Sequence, residues 1–197
     1  MSESPVAESS IRAHVFRLPG GEHVTVRPIR PRDAGRLQNY LRDLSVETRR
    51  RRFLGAVSEL SPVQLDRLTR MEGSGELALL AFADAGGQQM IAEAIMVTAA
   101  HSERCEIALS VADAWQGRGL GALLLHHLEC RARLSGARYL IGDVLRTNEA
   151  MKGLARKAGF AIGGAHREAR LIEIVKDLAV SQAGPPCHEQ FAQAIAA

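Results

Sequence analysis

Val111-Ala112-Asp113-Ala114-Trp115-Gln116-Gly117-Arg118-Gly119-Leu120-Gly121-Ala122 joins two segments of different period. Before it, Arg104 to Val111 alternates, with Ile107, Leu109 and Val111 against Glu106, Ala108 and Ser110, which predicts a strand. After it, Leu123, Leu124, Leu128 and Ala132 keep helical spacing. Three glycines between a strand and a helix let the backbone approach a ligand without a Cβ clash, and the first helical turn offers unpaired N–H groups. With the helix dipole these donors make an anion site suited to a pyrophosphate, and Arg118 can add a charge-assisted contact. A tight turn with no ligand is the plain alternative. Gly117-x-Gly119-x-x-Ala122 also fits the dinucleotide fingerprint, with Asp143 near the distance of a ribose acid. A dinucleotide fold places that loop after its first strand, however, and here it follows the fourth predicted one.

Outward from the loop, His23 to Ile29 alternates as a strand, and Pro28 puts it at an edge or marks its end. Pro31-Arg32-Asp33 opens a helix with Leu37, Tyr40, Leu41 and Leu44 on one face. Ser45 caps a short helix bearing Arg49-Arg50-Arg51-Arg52 and ending on Phe53 and Leu54; Ser61-Pro62 starts another, with Val63, Leu65, Leu68 and Met71. Leu77–Ala83 and Met90–Val97 form a hairpin about Asp84-Ala85-Gly86-Gly87. Tyr139–Leu145 is a strand, Asn148–Lys157 a helix, and two more strands run from Gly159 to Val175. Strands in a run, then strand–helix alternation, predict an α/β (α+β) fold: a mixed, mostly antiparallel sheet of about six or seven strands with helices on both faces. Residues 1–21 read as a flexible leader, 22–178 as the domain and 179–197 as a tail.

The chain of 197 residues is 46% hydrophobic and 24% charged, the make-up of one globular domain with a core. No apolar run approaches the ~18–20 residues of a membrane span, and residues 1–17 lack the basic and apolar regions of a signal peptide. Cys105, Cys130 and Cys187 read as reduced thiols, and the protein as cytoplasmic. The net charge of +3 does not argue for nucleic acid, and no aromatic platform accompanies the Arg run. Charge is uneven: residues 1–70 hold 13 Arg and Lys against 8 Asp and Glu, and the remainder 12 against 14. The Arg run reads as a solvated helix face or as a contact for an acidic partner. His126, His127 and Cys130 lack a partner set for a metal, so no metal is expected. His166 and Arg167 sit in a turn, and Trp115 reads as a packing anchor.

The segment Val111 to Gly121 resembles the acyl-CoA-binding segment of the GNAT acetyltransferase superfamily, whose Gln/Arg-x-x-Gly-x-Gly/Ala pattern Gln116, Gly119 and Gly121 fill. Asn148 through Gly159-Phe160 is similar to the family's second signature, and Val26 to Asp33 to its first strand and helix. From Arg27 to Phe53 the chain resembles the acetyltransferase module of bacterial protein-lysine acetyltransferases, although it has no room for their large nucleotide- or CoA-binding region.

The resemblance implies direct transfer of an acetyl group from acetyl-CoA to an amine, with a protein lysine ahead of a small-molecule amine or amino acid as acceptor. A non-catalytic acyl-CoA sensor is the alternative from another class. Acetyl-CoA is expected on Gln116, Gly117, Arg118, Gly119, Leu120, Gly121, Ala122 and Asn148, with backbone donors of Leu109 and Val111 facing the thioester where two strands splay. Freeing a lysine amine at pH 7 costs about 4.6 kcal/mol, which calls for a base. The family's Glu at this point of the strand implies Glu106, ahead of Glu103 and Glu93. Many relatives carry a Tyr to protonate the CoA thiolate where this chain has Ala155, leaving water or Ser110. A monomer or homodimer is expected, with no nucleic-acid or membrane partner.

Overall fold

The computed structural model describes residues 13–73, 75–83, 89–163 and 167–180. The expected turn at 84–87, His166, Cys187 and the tail from 181 lie outside them. The strands are β1 (His14–Arg17), β2 (His23–Pro28), β3 (Glu72–Gly73), β4 (Glu76–Ala83), β5 (Gln89–Thr98), β6 (Arg104–Val111), β7 (Tyr139–Leu145), β8 (Ala161–Ile162) and β9 (Leu171–Asp177). They form one sheet in the order β1-β2-β4-β5-β6-β7-β9-β8, with β3 on β4. Every pairing is antiparallel except β6 with β7. β1 and β3 raise the count above the six or seven read from pattern, because four residues or fewer carry no period.

The loose leader expected through residue 21 is corrected. His14–Arg17 pairs antiparallel with β2, and Phe16 and Leu18 are buried against the core. β2 is therefore interior, and Pro28 is its last residue. A missing N–H costs nothing where the ladder stops.

Helices cover both faces, as the order of elements predicts. α1 (Ala34–Asp43), α2 (Val46–Phe53) and α3 (Pro62–Thr69) lie on one; α4 (Leu120–Leu134) and α5 (Glu149–Lys157) on the other. The alternation of β4 divides the two cores: Leu77, Leu79, Ala81 and Ala83 join Leu124 and Leu128 of α4, while Ala78, Leu80 and Phe82 join Leu37, Tyr40 and Leu41 of α1. Local chemistry sets the helix ends. Ser45 Oγ accepts from Thr48 N–H at 3.1 Å, and Ser61 and Gln64 form a reciprocal capping box behind Pro62. Arg27 forks onto the fully buried Asp33 at 2.7 and 2.8 Å, fixing the entry to α1. Burial alone would raise the Asp33 pKa, but Arg27 pulls it below the ordinary carboxylate value. Among the described residues no helix is long and apolar enough to cross a membrane.

Candidate active site

The parallel strands β6 and β7 pair only at Arg104–Glu106 with Tyr139–Ile141, and beyond that point they part. Gly142 sits at the fork, where a Cβ would stand 3.2 Å from the Ile107 carbonyl oxygen. A side chain there would push the Ile107 carbonyl back by a few tenths of an ångström, so glycine suits the point where the strands separate. On its other side β6 pairs with β5 throughout, and Ala112 N–H donates to Ile91 O at 2.8 Å. Counting the alternation back from that bond, Glu106, Ala108 and Ser110 turn their amides to β5, and Leu109 and Val111 turn theirs into the fork. The result is a cleft of about 550 Å³ lined by Leu109, Val111, Asn148, Met151 and Leu154, among others.

At the cleft's end lies the glycine loop. Gly117 and Gly119 take φ of +74° and +91°, a region costly for residues with a Cβ, and Gly119 is the N-cap of α4. Among the described residues no backbone hydrogen bond satisfies the N–H groups from Gly117 through Ala122. A Cβ on Gly117 would meet open space. A row of unpaired donors at the N-terminus of a fifteen-residue helix, open on one side, fits a pyrophosphate.

The opposite wall is α2, and three contacts fasten it. Asp113, just past β6, accepts from Ser45 N–H at 2.9 Å, Ser45 Oγ at 2.7 Å and Thr48 Oγ1 at 2.7 Å. Burial would raise its pKa, but these donors hold it below the ordinary value. Gln116 Nε2 bridges the loop to this clasp, donating to Val111 O at 3.0 Å and Thr48 Oγ1 at 3.3 Å. Arg49 Nη1 donates to the carbonyls of Leu41, Arg42 and Leu44 and so closes the end of α1. Arg52 reaches from α2 through the sheet surface to the buried Glu93 of β5, its Nη2 at 3.2 Å from Oε2 and its Nε on Oε1.

The Arg run thus divides among three separate contacts rather than forming one solvated face. Arg50 and Arg51 both pair with Glu47, whose carboxyl is held at about 2, by Arg50 first and then Arg51. Arg51 and Arg52 also line the cleft.

Comparison with known proteins decides the family. The model of the acetyltransferase (GNAT) family matches residues 41–160. The chain belongs to the GNAT acetyltransferase family. A Pseudomonas aeruginosa protein named as an acetyltransferase is 34% identical over 147 residues, 74% of this chain and 79% of its own. Acetyltransferase Pat of Mycolicibacterium smegmatis is 29% identical over 78% of this chain, which spans only 47% of that relative. In structure, the GNAT domain of S. lividans PAT superposes with a TM-score of 0.77 at 27% identity, covering 89% of this chain and 99% of that one. The yncA structure of Salmonella typhimurium, described with its cofactor acetyl-CoA, shares the fold at 19% identity and a TM-score of 0.63, over 83% of this chain and 98% of that one.

Within this acetyltransferase fold, Leu109, Val111, Gln116, Gly117, Gly119, Gly121, Ala122 and Asn148 come together on the cleft. Leu120 does not: its side chain is buried in the core, so only its backbone faces a ligand. Arg118 turns away to Glu22 at 2.7 Å and lies over the Trp115 ring. Gln116 spends its amide on protein groups, and Asn148 Oδ1 caps α5 through Met151 N–H at 3.1 Å. Trp115 packs partly buried against the core while also lining the cleft. Glu106 is exposed, the last residue of β6 paired with β7, and is absent from the cleft lining.

Ala155 is fully buried. Among the described residues no group of three or more His, Cys, Asp and Glu side chains is placed for a metal. His127 packs edge-on against Phe16, and burial first, then His126 and His14, lowers its pKa to about 4. Cys105 is a buried thiol.

Two groups of the site carry no signal in the sequence. Asp113 and Lys157 sit in the quoted segments without a motif to mark them, and Lys157 lines the cleft. Glu93 stands behind Glu106 as a candidate base, yet a carboxylate inside the apolar run Met90–Val97 signals a buried partner.

Proposed function

We propose that this acetyltransferase moves an acetyl group from acetyl-CoA directly to an amine, with a lysine on a protein as the acceptor. The observation that carries the reading is the fork between β6 and β7, with backbone donors along one side and the glycine loop at its end. Acetyl-CoA supplies an acetyl group activated as a thioester. The loop amides from Gly117 to Ala122 hold its pyrophosphate, and the Leu109 amide polarises the carbonyl by donating to the oxygen as charge develops there. The wall carrying Thr48, Arg51 and Arg52 faces the incoming amine. Arg51 beside the entrance favours a lysine flanked by carboxylates, although Glu47 tempers that field.

Glu106 is the base. It lies on the same face of β6 as Ser110, three residues or about 10 Å along the strand from Leu109, so it takes the proton through water. The catalytic unit extends from β1 through Leu178, and its setting is cytoplasmic.

The test is CoA release and mass-spectrometric detection of acetyl-lysine over a panel of proteins and small amines. Glu106→Gln should slow turnover about 10²–10⁴-fold, with acetyl-CoA affinity kept and the deficit shrinking at high pH. Release with small amines alone would move the acceptor class, and no release at all would leave an acyl-CoA sensor.

A further inference from the structure

Beneath the cleft floor four side chains from four different elements form one buried chain of contacts. Arg52 of α2 pairs with Glu93 of β5. Ser110 Oγ of β6 donates to Glu93 Oε1 at 3.0 Å, and Tyr40 OH of α1 lies 3.0 Å from Ser110 Oγ. Tyr40, Glu93 and Ser110 are all 5% exposed or less, yet Ser110 also lines the cleft.

The donor count of this chain has one solution. Glu93, ionised against Arg52, only accepts. The single Ser110 proton is spent on it. Tyr40 must then be the donor to Ser110 Oγ. Burial and, next, the Glu93 charge raise the Tyr40 pKa strongly, so it keeps its proton for that bond. A serine oxygen has two lone pairs, and Tyr40 occupies one. Toward the cleft, Ser110 is therefore an acceptor only.

Resting on the acetyltransferase reading above, we propose that Ser110 Oγ is a substrate-orienting group: it accepts one N–H of the attacking amine, and Glu93 and Tyr40 are the positioning residues that fix its polarity. A neutral primary amine has two N–H bonds and one lone pair. One N–H goes to Ser110, the other to a chain of waters leading to Glu106, and the lone pair is left for the thioester carbon. As the N–C bond forms, the C–S bond breaks with its electron pair on sulfur, and the amine proton leaves by the water path. Ser110 gives and takes no proton. The same bookkeeping removes Ser110 as the acid for the CoA thiolate, since its proton is held by a carboxylate. It also favours an amine over an alcohol, whose one O–H cannot serve both acceptors.

The experiment uses a peptide with one lysine flanked by glutamates, following CoA release with the full chain. Ser110→Ala should lower kcat/KM for the peptide at least tenfold, leave the Kd of acetyl-CoA within about twofold and change Tm little. Ser110→Thr, which keeps the hydroxyl, should restore most of the loss. Glu93→Gln should be as slow as Ser110→Ala, because its amide N–H would donate to Ser110 and turn the hydroxyl proton into the cleft. Should Glu93→Gln fail to fold with Arg52 unpaired, the alanine–threonine comparison still decides. A parent chain that releases no CoA with any amine overturns the acetyltransferase reading. An active parent whose Ser110→Ala variant matches it, or whose Ser110→Thr variant is as slow as alanine, overturns the orienting role.

Discussion

Removing the Asp113 carboxylate should unfasten α2 from the cleft. Three donors converge on it, all within 2.9 Å, and Thr48 passes the contact on to Gln116. A hydrogen bond to a charged group is worth roughly 1.5–3 kcal/mol. Asp113 and Ser45 are exposed, however, so water replaces much of that value, and about 2 kcal/mol is expected for Asp113→Ala. In a domain of this size that loss lowers Tm by roughly 4–8 °C. Asp113→Asn keeps an acceptor oxygen and should fall between the two.

The pH dependence follows from the lowered pKa of Asp113. A carboxyl whose folded value lies below its unfolded value of ~3.9 contributes fully above the unfolded value, and the contribution fades as pH falls through the folded one. Urea unfolding at pH 7 should therefore separate parent and Asp113→Asn, and the gap should narrow as pH falls below the unfolded value and through the lower folded one. The affinity for acetyl-CoA, measured by calorimetry, should weaken with the alanine variant because Gln116 loses its anchor. A destabilisation under about 0.5 kcal/mol at neutral pH, or a gap that widens in acid, would refute the clasp.

Two other perturbations probe the two walls. Gly117→Glu places a negative charge before the loop amides where a Cβ meets only open space, so the cost to folding is a backbone strain of about 1–2 kcal/mol while acetyl-CoA Kd should rise at least tenfold; Gly119→Glu would abolish binding too, but its Cβ also presses on Pro19 at 3.2 Å. Calorimetry showing parental affinity in Gly117→Glu would remove the loop from the cofactor site. Arg50→Glu with Arg51→Glu should raise KM for a protein acceptor and flatten its salt dependence while leaving acetyl-CoA affinity alone; normal acetylation at low salt would reduce these arginines to partners of Glu47.

How much of this was legible in advance depends on the range of the interaction. The caps at Ser45 and Ser61, the apolar faces of α1 and α4 and the amide row at Gly117–Ala122 all follow from residues within a turn or two of one another. So did the family, through Gln116, Gly119 and Gly121 in order. The arginine run was readable as composition and unreadable as structure. Arg49, Arg50, Arg51 and Arg52 leave a helix at 100° intervals: Arg50 and Arg51 share the local partner Glu47, while Arg49 and Arg52 reach the end of α1 and Glu93, and only packing decides those two.

The sequence by itself determined the periods, the turn chemistry and the position of an anion-binding loop between strand and helix, because these rest on backbone sterics and local hydrogen bonds. The tertiary structure alone decided that β6 and β7 part after Glu106, that Arg52 finds Glu93 forty-one residues away, and that Tyr40 and Ser110 meet seventy residues apart. Strand order and register bring those groups together, and both are set by the summed burial of two apolar faces rather than by any residue in the site.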